Sequence, residues 1–153
     1  MEKIPIVDFE NYLNGTQKDQ VSKELVEAFK TFGFVYLKNF DFSNDRINEM
    51  FNTSRGFFDS DLETKLTAKK DHSTFCGYDE IEKEKLSEDR PGDLKESFMI
   101  KQTGTPWPKL KNPEQFKAES LEFHSQCFSL ALNMVRAISL GKIGILVYLK
   151  IDI

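Results

Sequence analysis

Residues 32–40, Phe-Gly-Phe-Val-Tyr-Leu-Lys-Asn-Phe, constrain the fold more than any other stretch of the 153-residue chain. Val35, Tyr36 and Leu37 favour an extended pleat, and Gly33 can adopt the left-handed conformation that ends a helix, so a helix-to-strand switch is expected here. Upstream, Val21, Leu25, Ala28, Phe29 and Phe32 recur at steps of three and four, which predicts an amphipathic helix over 21–32 with one buried face. Ahead of that helix, Ile4, Pro5, Ile6 and Val7 read as a short strand. Pro5 places it at a sheet edge or at the first residues of the strand, because proline cannot donate to a ladder.

Beyond the switch, Ser43 can cap a helix in which Ile47, Met50, Phe51, Ser54 and Phe58 line one face and Phe57 widens the stripe. Asp61 can cap a short helix carrying Leu62 and Leu66, which runs into the polar loop 69–74. Phe75-Cys76-Gly77-Tyr78 is an apolar island. The mixed charges of 79–90 followed by Pro91 and Gly92 read as a solvated loop or a frayed helix, with a protein-docking segment as the alternative. Residues 94–100 then alternate, and Leu94, Phe98 and Ile100 share a face with Glu96. A carboxylate on the apolar side of a strand needs a hydrogen-bond or cationic partner, or else faces a cavity. Asn112-Pro113-Glu114-Gln115 is a helix start in which Gln115 can close a capping box. From it Phe116, Phe123, Cys127, Leu130, Met134 and Ile138 keep to one side as far as Gly141, a rod of about 40 Å. The core is therefore expected from the helix over 21–32, the strand over 34–40, the helix over 47–58, with Phe51 buried, and the long helix.

Residues 143–153 change character. The uncharged run 143–149 is far shorter than the roughly twenty apolar residues of a membrane span and reads as a strand. Left unpaired, it matches an aggregation-prone window, so self-association is expected. A net charge of -4 without any dense Lys/Arg cluster argues against nucleic acid. The two cysteines, Cys76 and Cys127, lie far apart and read as buried free thiols, not as a disulfide or zinc site. The first residues show no signal-peptide pattern, which predicts a cytoplasmic protein.

An ordered set of short matches goes further: Ile-Pro-Ile-Val-Asp-Phe at 4–9, Phe-Gly-Phe-Val-Tyr-Leu at 32–37, Phe57-Phe58 with Lys65, Gly77-Tyr78, Lys95-Glu96-Ser97-Phe98, and Trp107-Pro108 leading into the long helix. In this order they resemble the amino-terminal region of the isopenicillin N synthase-like, 2-oxoglutarate/Fe(II)-dependent dioxygenases. The resemblance implies a helix-rich α/β domain over 1–142, ahead of a jelly-roll catalytic core that is missing from this chain, with 143–153 as a divergent apolar tail of a truncated product. It implies oxidation of a small-molecule substrate by the full-length family member, with Fe(II) and 2-oxoglutarate as its cofactors.

The family holds iron with His-x-Asp and a distant second His, and 2-oxoglutarate with Arg-x-Ser. Here His72 is followed by Ser73-Thr74 and His124 by Ser125-Gln126. Arg46, Arg55, Arg90 and Arg136 are followed two positions on by Asn48, Phe57, Gly92 and Ile138. No catalytic, metal or cofactor-binding residue is therefore expected in this chain, and catalytic inactivity follows as an expectation. The rival readings are a non-catalytic protein-interaction module and a truncated product without function. By resemblance, Phe75, Tyr78, Glu96 and Phe98 are candidates for the substrate mouth, with packing as the alternative role for each.

Overall fold

In the computed structural model, which describes residues 3–142, the elements run β1 (Ile6–Asp8), α1 (Glu10–Leu13), α2 (Lys18–Phe32), β2 (Tyr36–Lys38), α3 (Asn44–Phe58), α4 (Leu62–Leu66), β3 (Gly77–Asp79), β4 (Ser97–Met99) and α5 (Pro113–Gly141). The chain divides into two compact units, one of residues 1–43 with 126–153 and one of 44–125, and α5 contributes to both. No described helix is long and apolar enough to cross a membrane. The strand expected over 143–149 lies outside the described residues.

In the first unit the switch at Gly33 is realised. Gly33 caps α2 at φ 72°, its N–H donating to the Phe29 carbonyl at 3.0 Å, and the chain leaves directly into β2. β2 pairs in parallel with β1, Val7 opposite Leu37, and the helical crossover between them is what a parallel pair requires. Val7, Phe9, Tyr12, Val21, Leu25 and Ala137 form the core, with Phe9 stacked on Tyr12 at 4.8 Å between ring centroids. Full burial of side chains such as Phe9 and Leu25 contributes about 1.5–3 kcal/mol each.

In the second unit the Asp61 side chain accepts from the Thr64 N–H at 2.6 Å, as its capping position predicts. β3 and β4 pair antiparallel, Tyr78 opposite Phe98. Arg46 of α3 donates to the Glu119 carbonyl of α5 at 2.8 Å and lies over the Phe123 ring, and Thr53 hydrogen-bonds the Glu119 carboxylate. These contacts fix α3 against the first half of α5.

Several expectations change. There are two cores in place of one. Phe57 is the buried aromatic of α3, whereas Phe51 is 67% exposed, because α3 turns the 57 side of its broad apolar stripe inward. The strands expected over 34–40 and 94–100 are reduced to three residues each, since each described sheet has only two strands to hold them. Leu94 is consequently solvent-exposed and not on the Glu96 face. Gln115 donates forward to Glu119 at 2.8 Å instead of closing a capping box, and Cys127 is only half-buried.

Candidate functional site

The centre of the second unit is an aromatic cluster built from five places in the chain. Phe57, at the end of α3, sits 4.9 Å from Phe98 of β4, 5.4 Å from Phe116 of α5 and 5.8 Å edge-on from Tyr78 of β3. Trp107 closes the far side at 6.1 Å from both Phe98 and Phe116. Such offset and edge-to-face pairs add about 0.5–1.5 kcal/mol each beyond the area they bury.

At the rim of the cluster lies the carboxylate that the alternation of β4 left needing a partner. Glu96 Oε2 accepts from Lys65 Nζ of α4 at 2.8 Å and from the Tyr78 hydroxyl at 2.6 Å. Lys65 also donates to the Phe58 carbonyl at 3.1 Å and lies 5.5 Å over the Tyr78 ring. Burial opposes ionisation of Glu96, yet the Lys65 and Tyr78 hydrogen bonds and the Lys65 charge outweigh it and hold the carboxyl below its ordinary pKa. Tyr78 is displaced the other way. Burial, and then the neighbouring Glu96 carboxylate that accepts its proton, push its phenol well above the usual value.

The turn leading into β3 is held from several directions. Asp71 Oδ1 accepts from the N–H and hydroxyl of Ser73, its own N–H donates to the Cys76 carbonyl at 2.8 Å, and Lys101 Nζ donates to the Thr74 carbonyl at 2.7 Å. Gly77 follows at φ 111°. A Cβ there would stand 2.7 Å from the Ala68 carbonyl oxygen and 2.8 Å from Lys70 Cα, so no other residue fits without displacing backbone. The turn displays Phe75, 63% exposed at φ 58°, a backbone conformation that a bulky side chain rarely adopts. Of the four candidates, Tyr78, Glu96 and Phe98 are thus brought together and Phe75 is set apart from them. A cleft of about 280 Å³ lined by Thr53, Gly56, Leu110, Phe116 and Glu119 includes none of the four.

Lys65 is the partner that reading the residues one by one did not assign. Its signal was present, since it lies in a short helix between Leu62 and Leu66 where one lysine must pass close to the apolar layer. His72 is exposed in the polar loop and His124 lies on α5, and among the described residues no three His, Cys, Asp or Glu side chains are grouped to hold a metal.

Residues 4–119 match the family described as non-haem dioxygenase in morphine synthesis N-terminal, and the chain belongs to that family, the amino-terminal domain of isopenicillin N synthase-like 2-oxoglutarate/Fe(II) dioxygenases. It is 33% identical over 147 residues to UPF0676 protein C1494.01 of Schizosaccharomyces pombe, covering 91% of this chain and 44% of that protein. It is 33% identical over 88 residues to the 2-oxoglutarate-dependent dioxygenase frbA of a Dothideomycetidae species, covering 55% of this chain and 26% of that one. Among solved structures it is similar to a full-length Neurospora crassa protein crystallised in complex with alpha-KG and thymine, with a TM-score of 0.77 and 30% identity over 90% of this chain and 48% of that chain. The chain spans less than half the length of each of these relatives.

Proposed function

We propose that this chain is the amino-terminal scaffold of a 2-oxoglutarate/iron-dependent oxidoreductase acting on a small molecule, and that the chain by itself does not carry out the oxidation. The donor set carries this reading. A facial triad takes two histidines and a carboxylate on one side of the metal. His72 and His124 are the only histidines in the sequence, and neither belongs to a grouping of ligands among the described residues. The residues present do not fit Fe(II), and in a full-length family member the metal and 2-oxoglutarate would be held elsewhere. Within the scaffold, Phe75 is the candidate for touching substrate, and Tyr78, Glu96 and Phe98 hold the unit that presents it.

The test is iron content and succinate formation after incubation with Fe(II), 2-oxoglutarate, ascorbate and oxygen. Both are expected at the level of a protein-free control. One iron per chain that disappears on changing His72 and His124 to alanine, together with succinate release, would overturn the reading.

A second reading, an interaction module that associates through apolar surface, is favoured by one patch. Ile6 and Tyr36 are register partners across β1 and β2, and Phe34 lies two residues before Tyr36. Their exposures are 66%, 61% and 70%. Isolated exposed apolar residues are ordinary, whereas two partners on one small sheet with a third just ahead of its second strand mark a contact surface.

A further inference from the structure

The sheet of the first unit has an open edge that keeps its ladder groups. Tyr36 N–H donates to the Pro5 carbonyl and Phe9 N–H to the Lys38 carbonyl, both at 2.9 Å. In a parallel ladder with this register, Val7 bonds to β2 between those two, so the N–H and C=O groups of Ile6 and Asp8 point away from β2. Proline often blunts an edge by removing a donor. Pro5 does not do so here, because its carbonyl, and with it its nitrogen, faces β2. Among the described residues β1 pairs with β2 alone, and no backbone hydrogen bond is made by the Ile6 or Asp8 N–H.

A strand added at that edge would have two unlike sides. A groove of about 350 Å³ runs along β1 against α2, lined by Val7, Glu24, Glu27 and Ala28 among others and by no residue of β2. Val7 is buried in the core that α2 covers, whereas Ile6 is exposed on the other face of the strand. Side chains of an added strand beside Ile6 would continue the apolar surface that Ile6 and Tyr36 begin. Those on the α2 side would meet Glu24 and Glu27. Glu24 accepts from the Gln20 amide at 2.7 Å, and Glu27 accepts from Thr31 at 3.4 Å and lies 3.9 Å from Lys30, so both exposed carboxylates keep acceptor capacity for a further cation.

The charge of the groove selects its occupant. In a sheet continued about a twofold axis, the α2 helices of two copies would lie on the same face and set Glu24 and Glu27 of one against those of the other, which like charge disfavours. An extended chain with Lys or Arg at alternate positions meets opposite charge instead.

We propose that the outer edge of β1 takes an extended segment of another protein as a third strand, with apolar side chains beside Ile6 and Lys or Arg side chains over Glu24 and Glu27. The ladder groups of Ile6 and Asp8 supply main-chain hydrogen bonds, and the two sides of the strand supply selectivity. This goes beyond association through the apolar face of the sheet, which uses no ladder group.

The probe is a synthetic peptide of about seven residues, the length of an ordinary strand, alternating lysine and valine. It is titrated into the full chain and followed by calorimetry and residue-resolved amide exchange. Ile6 and Asp8 are expected to exchange at least about tenfold more slowly with peptide bound, while Val7, bonded within the β1–β2 pair, is unchanged. Two further peptides, N-methylated at the lysines or at the valines, separate a ladder from simple charge attraction. One of them is expected to bind at least about tenfold more weakly and the other within about twofold of the parent, because only every second amide of an added strand faces β1. The double change Glu24→Gln with Glu27→Gln is expected to weaken binding about threefold or more. Should it disturb the sheet, as Val7 exchange would report, raised salt on the parent chain replaces it, with weaker binding expected. The proposal is overturned if Ile6 and Asp8 already exchange slowly without peptide, if they stay fast at the highest peptide concentration, if the two methylated peptides bind alike, if neutralising or screening the carboxylates changes nothing, or if a peptide alternating glutamate and valine binds as well. In each of these cases sedimentation of the chain alone still decides the apolar-face reading.

Discussion

At the scale of single residues, Glu96 is the most connected polar side chain of the second unit, and its removal isolates two others. Glu96→Ala would leave the Lys65 ammonium, whose side chain is only 12% exposed, and the Tyr78 hydroxyl without their shared acceptor. A hydrogen bond to a charged group contributes about 1.5–3 kcal/mol, so a loss of about 2–3 kcal/mol is expected in urea unfolding. A loss below about 0.5 kcal/mol would mean that water replaces the contact. The same groups set a pH response. Glu96 has a lowered folded pKa, so its contribution is complete above the ordinary glutamate value of about 4.3 and is lost as pH falls through the folded value. Tyr78 has a raised folded pKa, so its contribution is complete below the ordinary tyrosine value of about 10 and is lost as pH rises toward the folded value. Tyr78→Phe is therefore expected to flatten the fall in stability above pH 10, as read from urea midpoints across that range. An unchanged slope would remove Tyr78 from the alkaline transition. The need for a partner to Glu96 was legible in the alternation of residues 94–100. The identity of that partner was not, because Lys65 lies 31 residues away and only the folded chain brings α4 beside the residue that precedes β4.

At the scale of elements, α3 shows what periodicity can and cannot decide. Ile47, Met50, Phe51, Phe57 and Phe58 spread over an apolar arc wider than one contact face, so the pattern predicts the helix but not which border of the arc turns inward. The decision comes from partners distant in sequence. Phe57 meets Phe98, Phe116 and Tyr78, and Phe51 meets solvent. Phe57→Ala is expected to cost about 3–5 kcal/mol and Phe51→Ala less than about 0.5 kcal/mol, measured as shifts of the chemical denaturation midpoint. Comparable costs for the two would reverse the facing of α3. Elements with local signals were fully legible: Gly33 ending α2, Asp61 capping α4, Pro113 opening α5. The short strands were overextended, because β-propensity reports a tendency to pleat and the number of ladder partners sets the length. Gly77 belongs to this scale as well. Its role is visible only in three dimensions, where the Ala68 carbonyl and Lys70 Cα leave no room for a methyl group. Gly77→Ala is expected to lower the midpoint by more than a Gly→Ala change at Gly56, around which there is open space.

At the scale of the whole molecule, the family resemblance was legible because it rests on an ordered series of local motifs, each of which survives without its neighbours. The division into two units was not, since α5 runs through both as one uninterrupted amphipathic pattern. What a domain of this kind does alone depends on the surfaces it leaves open. Ile6 and Tyr36 are partners on a two-stranded sheet and Phe34 is exposed just ahead of its second strand, and burial of these side chains in a contact would contribute roughly 1.5–3 kcal/mol apiece. Against the several kcal/mol that association costs in lost freedom, this favours weak self-association, stronger at high concentration and at raised sulfate. Sedimentation equilibrium of the full chain is expected to show it. The double change Phe34→Ser with Tyr36→Lys is expected to weaken the association by at least about tenfold, the equivalent of 1.4 kcal/mol. Both side chains are solvent-exposed, Tyr36 in β2 and Phe34 just ahead of it, so the fold should persist. If the double variant associates as strongly as the parent chain, the contact lies elsewhere, and the sheet face is not the surface through which this domain meets other protein.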